Sequence, residues 1–117
     1  MINRIAIPFF CLSGVLVATG TMMADDVVQP VDWVVGACLF VRRQTYEQVG
    51  ALDEGYFMYS EELDWCRRIK EAGWSIVYLP TATIIHHEGK SSEQVVPARH
   101  IHFQSSKVRY VGKYQGA

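Results

Sequence analysis

The sequence lacks a basic excess. Its 11 lysines and arginines are offset by 12 acids, leaving a formal charge of −1, whereas a dedicated nucleic-acid-binding domain carries a clear positive surplus. Nucleic acid is therefore not an expected partner. Paired cysteines are missing too: Cys11, Cys38 and Cys66 are odd in number, far apart and each inside an apolar run. Neither a disulfide framework nor a CxxC metal site is readable, so the thiols are expected as small buried hydrophobes in a reducing compartment. No HExxH, Asp-x-Asp, GxSxG, Walker A loop or GxGxxG occurs, which removes the local signatures of zinc and serine hydrolases and of the common nucleotide folds.

What is present is 117 residues, half of them hydrophobic and a fifth charged, enough for one small domain or part of one. Residues 5–24 are uncharged, preceded by Arg4 and followed by Asp25-Asp26. A signal peptide would explain the basic start, but Met22 and Ala24 make a poor cleavage site. A membrane span has the required length, yet Pro8, Gly14 and Gly20 interrupt it. The third reading is a strand and loop, or a hydrophobic remainder of a larger parent domain. Residues 1–30 are accordingly an apolar N-terminal segment of open role, and residues 31–117 carry the organised part.

Val31 to Val41 is rich in β-branched and aromatic residues and predicts a buried strand interrupted at Gly36-Ala37. Gln44 to Val49 predicts a short helix stopped by Gly50, and Asp53-Glu54-Gly55 a turn-like link. Ser60 is a plausible N-cap for a helix over Glu61 to Ala72, with Leu63, Cys66 and Ile69 on one face, Arg67 and Arg68 towards solvent, and Gly73 at the C′ position. Ser75 to Pro80 and Thr83 to His86 predict strands. From Val95 onward Ala98, Ile101, His102, Ser105, Val108 and Val111 fall near helical spacing and predict a closing helix, with Arg109 and Lys113 elsewhere on its surface. The order indicates a mixed α/β unit.

Three acids, Glu61, Glu62 and Asp64, crowd the start of the central helix. A carboxylate at a helix mouth can serve as a general base if it reaches the proton it removes. Acids there also stabilise the first turn through the macrodipole, and Asp64 has Arg67 and Arg68 at pairing distance along the helix. His86-His87 ends a β-rich run; imidazole is a metal ligand, but Mg²⁺ and Mn²⁺ also need carboxylates. Taken alone, each feature is better explained by structure than by chemistry.

Five blocks in order resemble the C-terminal half of family 2 glycosyltransferases of the GT-A fold, especially the bacterial rhamnosyltransferase-like branch. They are Val31-Asp-Trp-Val-Val-Gly-Ala-Cys-Leu-Phe-Val-Arg-Arg43, Val49-Gly-Ala-Leu-Asp-Glu-Gly-Tyr-Phe57, Tyr59-Ser-Glu-Glu-Leu-Asp-Trp-Cys-Arg-Arg68, Val77 to Pro80 through His86-His87-Glu-Gly-Lys-Ser91, and Ser105 to Gly116. The resemblance implies a partial GT-A-type mixed sheet with flanking helices, lacking the nucleotide-binding half and its Asp-x-Asp. It implies an inverting, metal-dependent transfer from a nucleotide-sugar donor to a glycan or glycolipid acceptor. Glu62 would be the catalytic base, His86 a ligand of Mg²⁺ or Mn²⁺, and Trp33, Gly36, Ala37, Glu61 and Asp64 would border the substrate pocket. A cytoplasmic chain at the inner face of the plasma membrane, associated with it peripherally, is the matching location. The alternatives are a non-catalytic binding or assembly module, dimeric through the exposed half-fold, and a small membrane-anchored protein.

Overall fold

The structure is a computed structural model that describes residues 2–5, 14–17, 27–80, 84–87 and 96–116, with side chains over 27–80 and 97–116. In chain order it runs β1 (Ile2–Ile5), β2 (Gly14–Val17), β3 (Gln29–Val31), β4 (Leu39–Phe40), α1 (Arg43–Val49), α2 (Glu61–Glu71), β5 (Ser75–Tyr78), β6 (Ile84–His87) and α3 (Val96–Gln115). The mixed α/β class is as expected.

β5 is the hub of the larger sheet, whose strand order is β3-β5-β2-β4. It pairs in parallel with β2, Gly14 opposite Ser75 through Val17 opposite Tyr78, and antiparallel with β3. β4 pairs antiparallel with β2. A separate antiparallel ribbon joins β1 to β6. Residues 14–17, inside the uncharged N-terminal run, thus form a strand; the remainder of residues 6–26 lies outside the described residues. Among the described residues no helix is long and apolar enough to cross a membrane.

The core forms where α2 lies on the sheet. Cys66 and Ile69, three apart and so on one helical face, are fully buried with Ile76 of β5 and with Val34. Burying one such aliphatic side chain is worth roughly 1.5–3 kcal/mol. Cys66 is a buried free thiol, as expected, and that burial pushes it up to about 11; Cys11 lies outside the described residues.

Three local expectations change. Val31 to Val41 is not one strand: the chain leaves β3 at Val31, turns at Gly36-Ala37 and re-enters the sheet at Leu39. Only Val34 of the intervening apolar residues is buried, while Trp33 and Val35 are exposed, so a loop that drops one side chain into the core has the composition of a strand. Ser60 does not cap α2 with its side chain, because it sits in the left-handed region at φ 65°. Gly50 and Gly73 do stop α1 and α2, at φ 83° and 89°, a region that costs a residue with a Cβ about 1–2 kcal/mol.

The third change concerns α3, which packs through Ser106, His102, Tyr110 and Tyr114 while Ile101, Val108 and Val111 face solvent. Polar anchoring sets its rotation. Ser106 Oγ donates to Met58 O at 2.6 Å, Tyr114 Oη donates to Asp64 Oδ1 at 2.7 Å, and Arg109 and Lys113, expected on the surface, reach Asp53 at 3.2 and 2.9 Å.

Candidate active site

α2 presents its three acids in different directions. At 100° per residue, Glu62 shares a face with Cys66 and Ile69, Leu63 one with Arg67 and Lys70, and Asp64 one with Arg68.

Glu62 lies against the turn of the broken strand. A Cβ built on Gly36 would sit 3.4 Å from Glu62 Cβ, an ordinary contact distance, so the Glu62 side chain lies directly along the loop at Gly36. Glu62 Oε2 is buried without a hydrogen-bond partner among the described residues, and so is Glu61 Oε2. Burial pushes the Glu62 carboxyl up from the ordinary range, the neighbouring charge of Glu61 adds to that, and the backbone amides of Glu62, Gly36 and Leu63 pull partly back. A buried acceptor without a donor costs about 1–3 kcal/mol. Such a raised, unsatisfied carboxylate is suited to taking a proton.

The approach to this pair is strained. Tyr59 and Ser60 are consecutive residues with positive φ, 70° and 65°, rare for residues with a Cβ and concentrated where function constrains the backbone. They turn the chain directly into Glu61 and Glu62.

Asp64 is fully buried with its oxygens fully engaged. Arg68 Nε donates to Oδ2 at 2.8 Å, while Tyr114 Oη and Lys113 Nζ lie 2.7 Å from Oδ1. Burial alone would raise this carboxyl, but bonds from Lys113, Tyr114 and Arg68 outweigh it and hold it below the usual range. Asp64 therefore links α2 to α3, both of its oxygens being held by Arg68, Lys113 and Tyr114. Arg68, expected in solvent, is half-buried and donates to Val49 O, at the end of α1, at 3.0 Å and to Ala51 O, just past it, at 2.8 Å, while Trp65 Nε1 donates to Gly50 O at 2.9 Å. Asp53 closes the link by accepting from the Gly55 N–H at 2.8 Å.

The other sequence candidates divide. Gly36 is brought to Glu62, and Ala37 is half-buried in the same turn. Trp33, half-exposed, instead lines an open concavity of about 280 Å³ with Asp32, Leu63, Arg67, Lys70, Glu71 and Tyr110, on a different face of α2 from Glu62. His86 falls in β6 opposite Asn3, and its side chain lies outside the described residues. Among the described residues no three His, Cys, Asp or Glu side chains cluster as metal ligands, so those residues alone do not fit Mg²⁺ or Mn²⁺. Sequence reasoning gave Asp53, Ser106, Lys113 and Tyr114 no role at the site, although all four lie in blocks that carry the family resemblance. Asp53 also carried a local signal, an aspartate two residues before a glycine in a turn.

Residues 16–100 match the family model described as glycosyltransferase like family 2, and the chain belongs to that family. Among its relatives, an N-acetylglucosaminyl-diphospho-decaprenol L-rhamnosyltransferase of Mycobacterium tuberculosis is 41% identical over 90 residues, 75% of this chain and 29% of the relative. Rhamnosyltransferase WbbL of Escherichia coli is 40% identical over 57 residues, 49% of this chain and 22% of the relative. The low-salt glycan biosynthesis hexosyltransferase Agl10 of Haloferax volcanii is 33% identical over 61 residues, 52% of this chain and 20% of the relative. The chain thus spans less than a third of the length of these relatives. No solved structure matches it significantly.

Proposed function

We propose that this chain forms the acceptor side of an inverting glycosyltransferase that moves a sugar, rhamnose in the first instance, from a nucleoside diphosphate to a hydroxyl of a lipid-linked glycan at the cytoplasmic face of the membrane. Glu62 is the general base. The acceptor oxygen attacks the anomeric carbon from the side opposite the diphosphate; its proton passes to Glu62 Oε2 as the new C–O bond forms and the bond to the diphosphate breaks. The supporting observation is the Glu62 carboxylate itself, with one oxygen buried and unpartnered beside Gly36 and its proton affinity raised by burial. The activities named for the two rhamnosyltransferase relatives support the donor, and the diphospho-decaprenol acceptor of the first supports a lipid-linked acceptor.

The test is Glu62→Gln in an active enzyme that contains residues 1–117, assayed with a nucleoside-diphosphate rhamnose and an N-acetylglucosaminyl-diphospho-polyprenol. Turnover is expected to fall at least about 100-fold, the usual scale for losing a general base, with donor affinity unchanged by calorimetry. Retained turnover removes Glu62 from the role. The 117-residue chain alone is expected to transfer no sugar.

A further inference from the structure

We infer that Ser106 is a positioning residue for the Glu61–Glu62 pair, acting through the strained turn that delivers them. Glu62's place in the reaction is the reading proposed above, and this inference rests on it.

Three consecutive residues ahead of that turn are each held by α3. The Phe57 ring lies against His102, with centroids 4.4 Å apart; Met58 O accepts from Ser106 Oγ at 2.6 Å; Tyr59 meets Phe103 edge-on at 5.6 Å. The two ring contacts flank the hydrogen bond, and their exposure leaves them adaptable: Phe57 is 77% exposed and Phe103 43%, whereas Ser106 is 5% exposed. The fixed point is therefore the buried hydroxyl. Immediately after it come Tyr59 and Ser60, both in the left-handed region, where a residue with a Cβ stays only when its surroundings over-determine it.

A helix start is normally fixed by its own N-cap side chain. Here Ser60 makes no such bond, so the direction in which α2 begins is set from outside, by the hold of α3 on residues 57–59. Glu61 and Glu62 occupy the first two positions of that helix, and each keeps a buried, unpartnered oxygen. Releasing Met58 lets Tyr59 and Ser60 relax towards negative φ, which rotates the first turn and lets both oxygens reach water. Asp64, one turn further, stays in place because Arg68, Lys113 and Tyr114 hold it independently.

The experiment compares Ser106→Ala, Ser106→Thr and Tyr114→Phe, the last loosening the far end of α3 without touching Met58. On the 117-residue protein, backbone chemical shifts report the conformation of Tyr59 and Ser60, and carbon-detected titration of labelled glutamate reports Glu62. Ser106→Ala is expected to move the Tyr59 and Ser60 shifts out of the left-handed range and to bring the Glu62 titration down towards that of an ordinary glutamate. Ser106→Thr, which keeps the hydroxyl, is expected to restore both, and Tyr114→Phe to leave both unchanged. In the active enzyme, Ser106→Ala is expected to lower kcat about tenfold at unchanged donor KM. Unchanged shifts and titration in Ser106→Ala, or equal changes in Tyr114→Phe, would overturn the inference. Failure of the base assignment is separately visible: Glu62→Gln would then retain turnover, while the shift and titration readouts would still report whether Ser106 sets the turn.

Discussion

Tyr114 Oη donates to Asp64 Oδ1 at 2.7 Å across fifty residues, and Lys113 Nζ lies equally close to the same oxygen. The bond joins the last turn of α3 to the first turn of α2, and through Arg68 to carbonyls at and just past the end of α1. One buried carboxylate thus ties α3 and the end of α1 to the helix that carries Glu62. Asp64→Asn keeps the shape and removes the charge, leaving Arg68 without its acid and Lys113 with Asp53 alone. A loss of about 3 kcal/mol is expected, the lower end of the range for breaking a buried pair, because Arg68 and Lys113 remain partly solvated. Tyr114→Phe should cost about 1.5 kcal/mol, as for a hydrogen bond to a charged group. Urea unfolding checks both as a lower midpoint with unchanged slope.

The same cluster should make stability fall at both ends of the pH range. The Asp64 carboxyl is held below its ordinary value of 3.8. A depressed folded value contributes stability that is present above pH 3.8 and lost as pH falls through the still lower folded value. The Tyr114 hydroxyl is raised from 10 to about 12, chiefly by burial and then by its bond to Asp64. A raised folded value contributes stability that is present below pH 10 and lost as pH climbs towards about 12. Lys113 is raised as well, its pairing with Asp64 and Asp53 outweighing burial, and steepens the alkaline side. Thermal unfolding across pH should show a flattened acid limb in Asp64→Asn. In Tyr114→Phe the alkaline limb should flatten most, with a smaller flattening of the acid limb because Asp64 loses one of the bonds that hold its carboxyl down.

Gly55 is required by contact, not by its dihedral angle. A Cβ there would fall 1.8 Å from a guanidinium nitrogen of Arg109, which crosses the Gly55 backbone to reach Asp53 at 3.2 Å and lies 5.1 Å from the Tyr56 ring centroid. Gly55→Ala should eject the arginine and cost about 1 kcal/mol, since an overpacked site relieves itself by moving the flexible group. In an Arg109→Ala background the added methyl should cost almost nothing. A double-mutant cycle measures this coupling, and additive losses would show that the glycine matters for another reason.

The parts legible in the sequence were those fixed by a few neighbouring residues. Gly50 and Gly73 announced the ends of α1 and α2 because only the backbone dihedral there matters, and the Cys66–Ile69 spacing announced which face of α2 is buried. α3 was misread in rotation because its apolar residues do not decide it. Ser106, Lys113 and Tyr114 find their partners at Met58, Asp53 and Asp64, forty-eight to sixty residues away, and a spacing rule for hydrophobic residues carries no trace of such partners. The acid cluster was visible, but its division of labour was not. Whether a carboxylate is satisfied, as in Asp64, or left with an orphan oxygen, as in Glu62, depends on a loop that packs against it and on a helix that arrives later in the chain.

That division can be tested through stability alone. If Glu62 served mainly to stabilise the first turn of α2, Glu62→Gln would lose the attraction of a negative charge to the helix N-terminus, about 0.3–1 kcal/mol. Its burial predicts the opposite. The folded carboxyl is raised above 4.5, so ionising it at neutral pH costs the folded state more than the unfolded one, and the penalty vanishes once both states are protonated. Glu62→Gln should therefore be more stable than the parent at pH 7, by up to about 1 kcal/mol, on the scale of other stabilising substitutions at functional sites. The gain should shrink as pH falls through the raised folded value and disappear below 4.5. Paired thermal melts from pH 3.5 to 8 decide the sign. A less stable Gln variant at pH 7 would mark Glu62 as a helix-capping acid, whereas a more stable one shows a carboxylate kept in place at a cost to the fold.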